Sequence, residues 1–137
     1  MVVDASVWVS AFFPTDAHHL VSTGWLSRFA AIGDRLAVPT LALAEVAGAV
    51  ARRSGVTALG EEAVGRLSRV PGLRMVDLDL TLAGEAAQLA ALYRLRGADA
   101  TYAALAFRLG VPLWTWDAEI FLRAGSIVRT AYPSIEV

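Results

Sequence analysis

The chain has no cysteine and no lysine. Without cysteine there can be no disulfide and no thiolate metal ligand, which fits a cytoplasmic setting. Histidine is nearly missing too, with only the neighbours His18 and His19. Adjacent residues of a helix point in different directions, so they make a poor chelating pair. A zinc enzyme is therefore disfavoured. Any required metal has to be held by oxygen, which favours Mg2+ or Mn2+. A charge surplus is lacking as well. The formal net charge is −1 and the sequence pI about 6.1. That excludes a strongly basic nucleic-acid binder but leaves room for a local basic patch. All twelve cationic side chains are arginine, which can grip phosphate in a bidentate fashion. The same usage would also follow from genome composition or heat adaptation alone. No uncharged run is long enough to cross a membrane, because Asp4, Asp16, Arg28 and Asp34 interrupt the first quarter. No basic segment precedes the first apolar run, so no secretory signal is expected.

What is present is apolar. Hydrophobic residues make up 56% of the 137 positions, and the mean hydropathy is +0.53. The length predicts one domain over residues 1–137. The apolar surplus predicts a covered surface: a homodimer, another protein partner, or both.

Short apolar strands alternate with helical patterns along the chain. Met1-Val2-Val3 reads as a buried strand that ends abruptly at Asp4. Helices are predicted over residues 6–13 and 16–32, the second with Leu20, Trp25, Leu26 and Phe29 as its apolar stripe. Residues 36–39 form a second strand, and Thr40 is a candidate N-cap for a helix from Leu41 to Arg53. A helix over 58–70, a strand over 73–78 and a helix over 81–94 follow. Asp77 and Asp79 read as polar strand-edge residues. Gly97 is a break before an alanine-rich helix with Asp99 in its first turn. Residues 111–117 make a strand that ends at Asp117, then a helix spans 118–124 and a last strand 127–129. Such alternation predicts an α/β fold of three layers, α/β/α, with a short central parallel sheet flanked by helices.

Four acids stand out against this pattern. Asp4 and Asp117 each follow an apolar strand and precede a helix, which makes both of them good N-caps. Open α/β sheets also bind ligands outside the carboxyl ends of their strands, where these two acids lie. Glu45 sits mid-helix beside Leu41, Ala42, Gly48 and Ala49; it either pairs with an arginine in solvent or faces a site. Asp99 suits the positive end of its helix dipole. Arg96 is the candidate phosphate contact, followed by Arg52 and Arg53, and Trp116 could stack on a base.

Val2-Val3-Asp4-Ala5-Ser6, Glu45, Gly97-Ala98-Asp99-Ala100 and Leu113-Trp114-Thr115-Trp116-Asp117, taken in order, resemble the PIN domain. Length and apolar character most resemble the toxins of VapBC toxin–antitoxin pairs. The resemblance covers essentially the whole chain. It implies a Mg2+- or Mn2+-dependent endoribonuclease whose catalytic and metal-binding quartet falls on Asp4, Glu45, Asp99 and Asp117. It implies that Ser6 and Thr115 support that site. It also implies an antitoxin partner whose tail occupies the groove and places a cation near the acids. Trp116 departs from the family pattern, and Glu119 is a possible fifth acid. Two rivals remain open. One is a catalytically inactive module that binds protein or RNA. The other is a different phosphoryl-transfer enzyme, a DNA nuclease or a phosphatase. An aspartyl phosphatase would want a second acid at position 6, where Ser6 stands.

Overall fold

The computed structural model describes residues 1–33 and 35–135. Five short parallel strands run through its middle in the order β3-β2-β1-β4-β5. They are β1 (Val2–Val3), β2 (Ala37–Pro39), β3 (Arg74–Val76), β4 (Leu113–Trp114) and β5 (Thr130–Ala131). Register is set by Val2 against both Ala37 and Leu113, and by Val38 against Met75. Val2, Val3, Val38 and Leu113 are fully shielded from solvent. Strands covered on both faces read as unbroken apolar runs, and these do.

Helices complete the layers. They are α1 (Ala5–Phe12), α2 (His19–Ala31), α3 (Leu41–Ser54), α4 (Thr57–Ser68), α5 (Leu80–Tyr93), α6 (Gly97–Leu109) and α7 (Ala118–Ala124). The alanine run of α6 lies against β1, β2 and β4, and Ala100, Ala103 and Ala106 are wholly buried there. Its small side chains let the helix sit close to the sheet. Helices α3 and α4 pair just as closely, with Gly60 against the backbone of Ala47. Among the described residues this is the three-layer α/β/α arrangement predicted from the alternation.

Several boundaries differ from the pattern, each for a local reason. Helix α2 starts at His19 rather than residue 16, because the Asp16 carboxylate accepts from the His18 amide at 2.8 Å and makes a turn. Leu20 does not join the apolar stripe; it is 81% exposed, while Ser22 and Trp25 face the core. Thr40 does not cap α3 through its hydroxyl, which accepts from Leu78 N at 3.1 Å instead. Asp77 and Asp79 lie beyond β3, and Asp79 caps α5 by accepting from Leu82 N at 2.8 Å. The last strand falls at Thr130–Ala131, not 127–129. The Ile127 and Val128 amides are spent on Ala124 O, closing α7. No helix among the described residues is long and apolar enough to cross a membrane.

Candidate active site

The order in which strands are added reverses at β1: β2 and β3 lie to one side, β4 and β5 to the other. The crevice outside the strand ends at such a switch point is where open α/β sheets bind ligands. Asp4 leaves the end of β1 into this crevice, and Thr115 and Asp117 leave the end of β4. Helix α3 brings Glu45 from the β2 side, and the start of α6 brings Asp99.

Asp4 is 4% exposed and lies at the centre. Its Oδ2 accepts three hydrogen bonds: from Ser6 Oγ at 2.5 Å, Thr115 Oγ1 at 2.9 Å and Ser6 N at 3.2 Å. The same hydroxyls accept in turn, Ser6 from Trp116 N and Thr115 from Asp117 N, both at 2.9 Å. These two side chains therefore lock the end of β1 to the end of β4 and fix the Asp4 rotamer. No hydrogen bond among the described residues engages Asp4 Oδ1. Burial raises the Asp4 pKa, outweighing the donors from Ser6 and Thr115.

The other acids complete the cluster. Glu45 is half-buried and makes no ion pair among the described residues. Its Oε1 is shielded from solvent without a hydrogen-bond partner, and so is the nearby Tyr102 hydroxyl. Burial raises the Glu45 pKa; the Tyr102 hydroxyl opposes it, and the charges of Asp4 and Asp99 add to the rise. Asp99 is 7% exposed, and burial raises its pKa despite the guanidinium of Arg96. Asp117 caps α7, its Oδ1 accepting from Glu119 N at 2.8 Å and Ile120 N at 3.2 Å. The capping reading holds for both Asp4 and Asp117, since one oxygen of each accepts from the backbone at the start of a helix.

Arg96 is placed differently from the sequence expectation of a free phosphate contact. Its Nε donates to Asp99 Oδ2 at 2.8 Å and its Nη2 to Asp117 Oδ2 at 3.0 Å, with Glu119 at 4.0 Å. A guanidinium thus stands where these acids converge. Glu119 lies at the rim, paired to Arg123 at 3.0 Å. Arg52 and Arg53 line a cavity beside the cluster, together with Ser6, Glu45, Asp117, Trp116 and His18. Trp116 is not a free stacking surface. His18 stacks on it at 3.9 Å, and Tyr132 lies nearly parallel to it at 6.0 Å. The sequence reading, which only sets His18 and His19 aside as a chelating pair, does not anticipate this contact. An exposed histidine beside a chain reversal carries no signal of what it will stack on.

The donor set suits a hard divalent cation: oxygen alone, three acids under-compensated by burial, and one buried carboxylate oxygen without a partner. As arranged, no group of three acid or histidine side chains among the described residues already encloses an ion, and Arg96 occupies the space between Asp99 and Asp117.

An α/β/α domain with acids gathered at the strand ends defines a class, and the comparisons name it. The PIN domain model matches residues 1–126, and the chain belongs to that family. Its fold is similar to VapC20 of Mycobacterium tuberculosis, described as a sarcin-ricin loop cleaving toxin, with TM-score 0.71 and 23% identity over 88% of this chain and 92% of that one. It is similar to a chain of VapBC2 from Rickettsia felis, solved with a promoter DNA fragment, with TM-score 0.73 and 15% identity over 96% of each. It is also similar to a chain of FitAcB from Neisseria gonorrhoeae, with TM-score 0.70 and 20% identity over 96% of each. No curated protein sequence matches the chain significantly.

Proposed function

We propose that this PIN domain, taken as one unit over the whole chain, is a Mg2+- or Mn2+-dependent endoribonuclease. The observation that carries the reading is the gathering of Asp4, Glu45, Asp99 and Asp117, from four separate elements, around the crevice at the switch point. Asp4, Glu45, Asp99 and Asp117 would hold the ion. A bound divalent ion supplies positive charge to the phosphodiester and to the water that attacks it.

The chain's own groups have separable tasks. Ser6 and Thr115 fix Asp4 by donating into Oδ2, which leaves Oδ1 without a hydrogen bond among the described residues. Glu45, which lines the cavity beside the other acids, is the group suited to orient the attacking water and take its proton. Attack forms one phosphorus–oxygen bond and breaks the next, and the leaving oxygen departs with a proton. Arg96, more than half exposed on its side chain, can leave the acids for the phosphate.

The fold neighbours support the rest of the proposal. Two come from toxin–antitoxin complexes and one is described as a sarcin-ricin loop cleaving toxin. This chain would be the toxin of such a pair, acting in the cytoplasm, with an antitoxin and a second copy of itself as partners. Leu80, Leu122 and Leu92 are 90%, 73% and 71% exposed, which leaves apolar area for such contacts.

One observation favours a second reading, a catalytically inactive module. Arg96 already neutralises two of the acids. A single experiment separates the two. Purified protein is incubated with total RNA, with and without Mn2+, and the cut ends are mapped. The nuclease cuts only with metal, and Asp4→Asn abolishes cutting while RNA binding persists. Cutting that is equal in wild type and Asp4→Asn would assign the activity to a contaminant and sink the proposal.

A further inference from the structure

The cavity beside the acids encloses about 640 Å³. Ser6, Glu45 and Asp117 bring it into contact with the cluster, while its remaining walls serve no part of the roles given above. Two of them have a chemistry of their own.

The first is Arg52. Position 48, one turn earlier on α3, is glycine, and a Cβ added there would stand 2.9 Å from Arg52 Nη1. The guanidinium therefore lies back along the helix, over the gap that Gly48 leaves. Arg52 makes no ion pair among the described residues. Its neighbour Arg53 is fully engaged, bound to Asp16 at 2.7 Å and stacked over Phe13 at 4.5 Å. An uncommitted guanidinium in a groove offers two parallel donors to a phosphate.

The second is the ring of His18. Four rings form a ladder: Phe121 on Tyr132 at 4.3 Å, Tyr132 near Trp116 at 6.0 Å, and Trp116 on His18 at 3.9 Å, all within 14° of parallel. Trp116 is fixed at both ends, its amide donating to Ser6 Oγ and its Nε1 to Ser22 Oγ at 2.8 Å. His18 is the last rung, exposed and lining the cavity. A rigid stack that ends on an open ring is a platform for one more flat group.

We propose that this cavity is a subsite for one unpaired nucleotide next to the bond being cut, its phosphate on Arg52 and its base on His18. The proposal rests on the nuclease reading and narrows it to a substrate class. A base held in a duplex cannot reach the ring, so the substrate is RNA that is single-stranded at this position, such as a loop or bulge.

The test uses the full chain carrying Asp4→Asn, so that RNA survives. Binding of a short fluorescein-labelled single-stranded RNA, and of the same RNA in a duplex, is followed by anisotropy over a range of salt. Arg52→Gln should weaken single-strand binding roughly tenfold, the scale of one charge-assisted contact, and reduce the log–log salt slope by about 0.7. His18→Ala should weaken it by about five- to tenfold with the slope unchanged, and should leave duplex binding alone. Gly48→Ala keeps the charge and improves helix propensity, yet its methyl displaces the guanidinium. It should bind like Arg52→Gln while melting no lower than the parent. Equal effects on single strand and duplex, or none on either, would overturn the subsite and leave a protein segment as the cavity's occupant. Cleavage by wild type is scored separately. If wild type does not cut but these binding differences persist, the nuclease reading falls and with it the placement beside a bond being cut, while the cavity stands as a nucleotide-binding site.

Discussion

Asp4 carries two burdens that an isolated sequence presents as alternatives. It caps α1 through Ser6 N, and it is the most deeply buried of the four acids. Burial has a consequence for pH. Asp4, Glu45 and Asp99 all have pKa values raised, chiefly by burial. A carboxyl whose folded pKa lies above its unfolded one favours the folded state while protonated. Its contribution is whole below the unfolded value and is lost as pH rises through the folded value. In the presence of a chelator the protein should therefore melt highest in mild acid and lose stability toward neutral pH. Asp16 differs: burial raises its pKa, but the His18 amide and Arg53 outweigh that and lower it. Its contribution is lost only as pH falls below the ordinary carboxylate range. Thermal melts in EDTA across this span check the slope, and Asp4→Asn should flatten it. An undiminished slope in that variant would place the titration on other groups. The acids themselves were legible as polar residues breaking apolar runs. The Arg96 clamp was not, because spacing puts Arg96 near Asp99 but says nothing of Asp117, 21 residues on.

Elements were more legible than their edges. Every predicted helix exists, because each has a 3.6-residue apolar repeat or a strong breaker at its end. The edges moved where a side chain took over a backbone group, as Asp16 does before α2 and Asp79 before α5. Close approach between helices was illegible, since a glycine looks the same whether it faces solvent or a neighbouring backbone. Gly60 and Gly84 show the difference. A Cβ at Gly60 would stand 2.6 Å from Ala47 O, whereas Gly84 has open space around it. Gly84→Ala should raise stability by about 0.5–1 kcal/mol, the helix-propensity difference. Gly60→Ala should lower it by about 1–3 kcal/mol, because α3 and α4 must separate. Urea midpoints of the two variants provide the comparison. Since α3 also carries Glu45, Gly60→Ala should reduce RNA cleavage as well, whereas Gly84→Ala should not. Equal midpoints for both would mean that the α3–α4 contact yields without cost.

At the scale of the molecule, the strand order decides where the acids meet. Parallel strands and alternating helices could be read from the sequence, but the order β3-β2-β1-β4-β5 could not, because no local signal says which strand pairs with which. Placing β1 beside β4 brings residues 4 and 117 together, and Arg96 then holds the assembly against its own repulsion. Arg96 and a divalent ion compete for the same carboxylates. An ion that binds only the folded state at a hundred times its Kd adds about 2.7 kcal/mol. For a domain of this size that corresponds to roughly 10 °C in Tm. Mn2+ should raise the wild-type melt by that order, and Asp4→Asn should abolish the rise. Arg96→Gln should melt lower than wild type in EDTA, since the acids lose their internal counter-ion, and should bind Mn2+ more tightly, since nothing has to be displaced. The gap between the two conditions therefore widens in this variant. Weaker Mn2+ binding by Arg96→Gln would reverse the assignment and make Arg96 a brace that holds Asp99 and Asp117 in place for the ion.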